Sequence, residues 1–555
     1  MTYDLKDVSL PKLGTAGLRA VVALAESPII GPLLVERLKR DGGLAGFAQR
    51  TPDEVPTMYP HLPADARAIP PLVQAATPTT APGFRFPGVD DYHDAYRAGR
   101  TTPTDVATQF LARVAESERG DRPLRAFIAI DRDDVLAQAH ASTERWRAGR
   151  PLGLFDGVPV GVKDEMDVAG YPTTVGTSFL GDAPAAHDAT VVARMRAAGA
   201  LIVGKTNMHE IGINITGLNP HHGCTRNPYN DSYHTGASSS GSATAVAAGL
   251  VPIAIGADGG GSIRIPAALC GVVGIKSTFG RLSEHGAFPL CWSLGYLGPI
   301  ATNVRDTARA WAIMAGYDAH DPNTDDKPEI ALDESAPASL AGIRLGVYRP
   351  WFEHATADVV QHTDRLLRQL VAHGATLHDV QIPELDAQRV AHIVSITGEM
   401  TTSMERHYAA HRRDFGLDVR VNLALARSFS ARDYVNAQRI RTRAQAIWTR
   451  AFTDVDAIIT PTTGQTAPAI DERSLPDGNS DLSMSLRVMR FCQSANFTGH
   501  PAITMPAGYD HNGLPIGLQA IGRPWGERLL FRIAAMAEQI VERHAPKRWH
   551  PALDA

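Results

Sequence analysis

TGASSSGSATAVAAGLVPIAIGADGGGSIRIP, residues 235–266, brings three consecutive serines, a run of very small residues and a triple glycine into one span. Ser238, Ser239 and Ser240 stand between Gly236-Ala237 and Gly241. The small residues from Ala243 to Gly249 predict a closely packed helix, and the apolar run Val251 to Ala257 predicts a buried strand. That strand ends in Asp258-Gly259-Gly260-Gly261-Ser262. Glycines permit positive φ and leave their amides uncovered, so such a loop can aim several N–H donors at one point, as an oxyanion requires. Hydroxyl nucleophile candidates therefore lie at both ends of the span, with an anion cradle beside the second. Taken alone, a Gly-Gly-Gly-Ser run reads as a turn that permits tight packing; the surrounding chain decides between the two.

On either side the pattern alternates strand and helix. Upstream, Thr104–Glu118 has helical spacing with Thr102 and Pro103 as cap and first-turn residue. Leu124–Ile130 is strand-like, Val135–Arg147 helical, and Gly157-Val-Pro-Val-Gly-Val-Lys163 an apolar strand that delivers a lysine at its end. Ala189–Ala198 predicts a helix and Leu201–Val203 a short buried strand. Downstream, strands are expected over Ile343–Val347, Ala375–Val380 and Val455–Thr460, and helices over Thr356–His373, most of 385–450, and Glu527–His544. Asp318–Ala341 is a polar crossing between two halves. The expected fold class is therefore α/β, with a catalytic region over 91–555. Residues 1–90 look like an N-terminal helical extension. Leu18–Leu38 has helical spacing interrupted at Pro28 and Pro32, and a Pro-rich connector runs from Ile69 to Pro87.

Composition narrows the function classes. The chain has 555 residues, 44% hydrophobic and 20% charged, with a formal net charge of −5. A nucleic-acid binder needs a basic face, and this balance does not provide one. The N-terminus lacks the layout of a signal peptide, and no apolar run is long enough to span a bilayer. Cys224, Cys270, Cys291 and Cys492 form no CxxC, which suits free thiols in a reducing compartment. The expectation is a cytoplasmic enzyme without cofactor or metal, acting on a small molecule, with neither nucleic acid nor membrane as partner. The N-terminal extension is a candidate dimerisation element.

Lys163 is the first chemical candidate. A lysine emerging from a sheet interior is desolvated, which favours the neutral amine and makes a base available; the plainer alternative is a lysine paired with Asp164. A serine hydroxyl needs a neighbour to take its proton; a Lys–Ser–Ser relay, in which the lysine accepts from one serine and that serine from a second, would supply one, and the 24 positions between Ser238 and Ser262 allow a helix-plus-strand excursion back to one sheet edge. Competing motifs fare worse. No G-x-S-x-G elbow exists, because Ser240 stands where the closing glycine belongs. The S-x-x-K match Ser9–Lys12 contains Pro11. Gly199–Thr206 fits the P-loop pattern, but its variable residues, Ala-Leu-Ile-Val, read as a buried strand. His221-His222 and Cys224 lack metal-ligand spacing. Asp258 and Arg264 bracket the glycine loop and are read as a buried brace, with Ser239 also in support.

These residues together resemble the amidase signature enzymes. The resemblance runs from about Asp90 to the C-terminus. It rests on GVPVGVKD around Lys163, GKTNMHEI, the serine stretch, GADGGGSIRIPAALCGVVGIKST, NFTGHPAITMPAG and GLPIGLQAIGRP. It implies a mixed central sheet flanked by helices and a Lys–cis-Ser–Ser mechanism. Lys163 is then the base, Ser238 the bridging serine with a cis peptide, and Ser262 the acylated nucleophile. The amides of Gly259, Gly260, Gly261 and Ser262 form the oxyanion hole. The implied activity is hydrolysis of C–N bonds in amides, with carbamates a second class left open. Two alternatives stay open: an amidotransferase subunit that works with a partner on tRNA, and a binding protein on the same fold. The sequence departs from the family in reading Gly-Ala-Ser-Ser-Ser-Gly where GGSSGG is usual, and Ser293-Leu294-Gly295 where many relatives have Ser-Leu-Asp.

Overall fold

The computed structural model describes residues 3–8, 10, 12–44, 47, 52–63, 82–324, 328, 330, 332–333, 336–475 and 477–553. Most of the Pro-rich connector (69–81) and two residues of the Ser9–Lys12 motif, 9 and 11, lie outside them.

An eleven-stranded mixed sheet forms the centre. Its first half contains β1 (Phe127–Ala129), β2 (Pro159–Lys163) and β3 (Leu201–Thr206). A separate hairpin, β4 (Arg226–Asn227) and β5 (Asn230–His234), lies outside it. The sheet continues with β6 (Ile253–Ala257), β7 (Val273–Lys276), β8 (Leu297–Ala301), β9 (Arg344–Val347) and β10 (Thr376–Asp379). It is completed by β11 (Ala457–Pro461), β12 (Ala502–Tyr509) and β13 (Pro515–Gly522). The spatial order is β1-β3-β2-β6-β8-β7-β12-β13-β11-β9-β10. Both faces are covered by helices, so the central strands are buried throughout rather than on alternate residues; β2, β3, β6 and β8 are buried along their whole length.

Local chemistry explains several boundaries. Thr102 accepts from the amide of Asp105, with Pro103 opening the helix Pro103–Ser117, a cap and first-turn pair that meets the orphan donors of a helix start. The helix Ser240–Ala247 is buried on all sides. At Gly241 a Cβ would stand 2.3 Å from the Ala126 carbonyl oxygen and 2.4 Å from the Asn207 nitrogen, so only glycine fits there. The expected strand Leu201–Val203 continues to Thr206 because Lys205 finds partners inside: Asp164 at 3.0 Å and the Pro172 carbonyl at 3.1 Å. That also settles the P-loop pattern, whose apolar stretch lies in a strand. The last helix stops at Ile540, before His544.

Residues 385–451 form three helices, Leu385–His411, Leu417–Ala426 and Ala431–Ala451. In the N-terminal segment the apolar spacing resolves into Thr15–Ala25 and Gly31–Asp41. Val35, Leu44 and Phe47 share an apolar cluster with Val390, Met404 and Val419. Leu18 and Val22 pack on Val421, and Glu26 pairs with Arg420 at 2.7 Å. Among the described residues no helix is long and apolar enough to cross a membrane.

Candidate active site

Strands β2 and β6 are adjacent and parallel, with Val162 opposite Ile255. Their carboxyl ends therefore lie side by side, the edge at which open α/β sheets hold ligands. Lys163 is the last residue of β2, and the loop Asp258–Ser262 follows β6. The serine turn is clamped onto the same edge by Ser239. Its hydroxyl donates to the Ala257 carbonyl at 3.0 Å and accepts from the Ala257 amide at 3.2 Å, while its own amide donates to the Ser262 carbonyl at 3.1 Å. The Ala237–Ser238 peptide bond is cis.

The amine of Lys163, fully buried, donates to Ser238 Oγ at 2.8 Å and faces the Ala257 carbonyl at 3.4 Å and Glu165 Oε2 at 2.6 Å. Three acceptors thus surround an amine that can donate three hydrogen bonds. The pairing with Asp164 weighed from sequence does not form, since Asp164 turns to Lys205. Lys163, Glu165, Ser238 and Ser262 all line one cavity of about 350 Å³. Ser262 Oγ makes no hydrogen bond within the described residues.

The amides of Gly259, Gly260 and Ser262 donate to no acceptor among the described residues, whereas that of Gly261, expected among the oxyanion donors, is committed to Asp258 Oδ1 at 2.6 Å. Gly261 has φ +123°, and a Cβ there would meet Ile265 at 2.6 Å. Asp258 and Arg264 brace the loop as a fully buried pair, Nε to Oδ2 and Nη2 to Oδ1 both at 3.0 Å. Arg264 also reaches Gln519 Oε1 at 2.6 Å and Asn496 Oδ1 at 2.5 Å. Burial opposes ionisation of Asp258, but the Arg264 charge and the Asn496 amide hold its carboxyl well below the usual range.

Two residues touch this loop from segments, 287–295 and 385–450, in which the sequence singles out no catalytic side chain. His392, on the helix Leu385–His411, places Nε2 2.9 Å from the Gly259 carbonyl, and burial pushes its pKa down to about 4. Cys291 also lines the cavity. Burial and the nearby Glu165 and Glu399 carboxylates push its thiol pKa well up, so it is no rival nucleophile. Gly295, where the family resemblance would place an acid, leaves room for Glu284: a Cβ there would lie 3.0 Å from Glu284 Oε1. His221 and His222 are held locally, by Glu210 at 2.9 Å and the Thr177 carbonyl at 3.2 Å.

Beyond the serines the cavity wall is mostly apolar, lined by Ile396, Met400, Leu425 and Leu486 together with Leu38 and Leu44 of the N-terminal segment.

A family model described as Amidase matches residues 105–531. A fatty acid amide hydrolase of Oryza sativa subsp. indica is 38% identical, the alignment covering 100% of this chain and 97% of that protein. A glutamyl-tRNA(Gln) amidotransferase subunit of Chloroflexus aggregans is 33% identical over 81% of this chain and 96% of its own. Among solved structures, the native peptide amidase from Stenotrophomonas maltophilia superposes with a TM-score of 0.70 at 30% identity, covering 83% of this chain and 98% of its own.

Proposed function

The chain belongs to the amidase signature family and is an amidase, and from that premise we propose that it hydrolyses long-chain N-acyl amides through an acyl-enzyme on Ser262. The observation that carries the substrate class is the cavity: an apolar passage walled by Leu38, Leu44, Ile396, Met400 and Leu486 meets the polar end where Ser238 and Ser262 stand. A hydrocarbon chain entering it sheds water at about 0.8 kcal/mol per methylene. The full-length match to a fatty acid amide hydrolase supports the same reading, since it includes the N-terminal segment that supplies Leu38 and Leu44. The match to the amidotransferase subunit covers less of the chain, and this favours hydrolysis over transfer to tRNA.

In the proposed mechanism Lys163 first passes one of its three protons to the Glu165 carboxylate beside it, and the amine so formed takes the Ser238 hydroxyl proton while Ser238 takes that of Ser262. The Ser262 oxygen attacks the amide carbonyl carbon, and the oxyanion that forms is held by the amides of Gly259, Gly260 and Ser262. Three preorganised donors are worth several kcal/mol of transition-state stabilisation. The C–N bond then breaks as the relay returns a proton to the leaving amine. Water, activated by the same relay, cleaves the resulting ester. Ser262 must swing onto Ser238 when substrate is bound, in keeping with catalytic hydrogen bonds that tighten only in the Michaelis complex.

The test is an acyl-length series with one amine. A value of kcat/KM that rises about fourfold per added methylene until the cavity is full supports the reading; equal rates on acetyl and long-chain amides refute it.

A further inference from the structure

His285 and His320 sit on the rim of the same cavity, outside the machinery described above. Their rings stack with centroids 4.6 Å apart and planes 21° from parallel. Both are anchored from beneath by one buried residue, Asp318. Its Oδ1 lies 3.1 Å from His320 Nδ1. Its Oδ2 accepts from the Thr190 hydroxyl at 2.5 Å, and that hydroxyl oxygen stands 3.3 Å from His285 Nδ1. The Ser283 hydroxyl donates to Oδ2 as well, at 2.6 Å. Burial opposes ionisation of Asp318, but the hydrogen bonds from Ser283, Thr190 and His320 hold its carboxyl well below the usual range.

One ring nitrogen of each histidine and one Asp318 oxygen all lie within 4.8 Å of one another. We propose that His285, Asp318 and His320 form a transition-metal site at the cavity entrance, taking Zn²⁺ or Ni²⁺. Two imidazoles and one carboxylate are a donor set such ions favour, and three protein ligands leave a coordination position for water. The hydroxyls of Thr190 and Ser283 act as the supporting shell that orients metal ligands. The three ligands come from two separate loops, so no short motif announces them. His221 and His222, adjacent in sequence, hold no comparable arrangement. A hydrated dication at this position narrows the entrance, so the ion acts as an inhibitor of substrate entry rather than as a catalyst.

The experiment uses the full chain, stripped by a chelator, with Zn²⁺ uptake read by competition with a zinc-binding dye. The wild type should take up one ion per chain, and KM for an amide substrate should rise over the same Zn²⁺ range. The double variant His285→Ala/His320→Ala, its fold checked by circular dichroism, should bind at least about tenfold more weakly, since even loss of a supporting residue has that effect. Its KM, compared with its own metal-free value, should no longer respond. Uptake well below stoichiometric by the wild type, equal uptake by the variant, or stoichiometric uptake that leaves KM unmoved each overturns the proposal. The dye readout does not depend on the nucleophile or on the substrate class.

Discussion

The Lys163 amine stands 2.6 Å from the Glu165 carboxylate, closer than it stands to Ser238. Glu165 therefore fixes where the amine points. Removing it frees a side chain with four rotatable bonds at the start of the proposed proton relay. We expect Glu165→Ala to lower kcat by about tenfold or more, because misplaced catalytic groups are costly. Glu165→Gln, which keeps an acceptor oxygen, should recover most of that loss. Steady-state kinetics of the pair decides it; an alanine variant with wild-type kcat excludes the positioning role.

The buried pair Asp258–Arg264 carries a second prediction. Arg264→Met leaves the Asp258 carboxylate without its ion-pair partner in a fully buried site. Such half-removal of a buried pair costs about 3–5 kcal/mol. Denaturation of the variant should show a loss of that order, together with lost turnover because the Gly259–Ser262 loop is no longer held. A variant as stable as the wild type contradicts the brace.

Acid stability follows from buried histidines. Burial pushes the pKa of His392 down to about 4 and that of His500 down to about 3, from an ordinary value of 6.5. Below pH 6.5 the unfolded chain protonates these two imidazoles while the folded one does not, so their contribution to the unfolding free energy falls as the pH drops. The decline begins near pH 6.5 and continues to about pH 3–4, where the folded state also protonates. His500→Asn should shallow this slope, measured by denaturant unfolding between pH 7 and 4; an unchanged slope rules out a contribution from His500.

Cavity shape carries the fourth. Ile396→Trp fills part of the apolar passage, so long acyl chains should lose more kcat/KM than short ones and the preferred length should shorten. A uniform loss across the series places Ile396 outside the acyl path.

The residues that give the site its sequence pattern are readable because each ends a strand or fills a glycine loop. Lys163 closes the apolar run of β2, and Ser262 closes the glycine loop beyond β6. Their convergence is less readable, since it depends on β2 and β6 being parallel neighbours. Sequence adjacency favours Asp164 as the partner of Lys163, whereas the turn after β2 sends that carboxylate to Lys205 and the Glu165 carboxylate to the cavity. Gly261 shows a related limit: four consecutive amides look equivalent on paper, yet Asp258 takes one of them. His392 and the rim histidines come from distant segments with no local pattern.

The central claim is that Ser262 carries the acyl group. A fluorophosphonate probe followed by peptide mass spectrometry tests it directly, on the wild type and on Ser262→Ala. The account predicts a single adduct on Ser262 in the first and none in the second. An adduct on Ser238, or labelling that persists in Ser262→Ala, contradicts it.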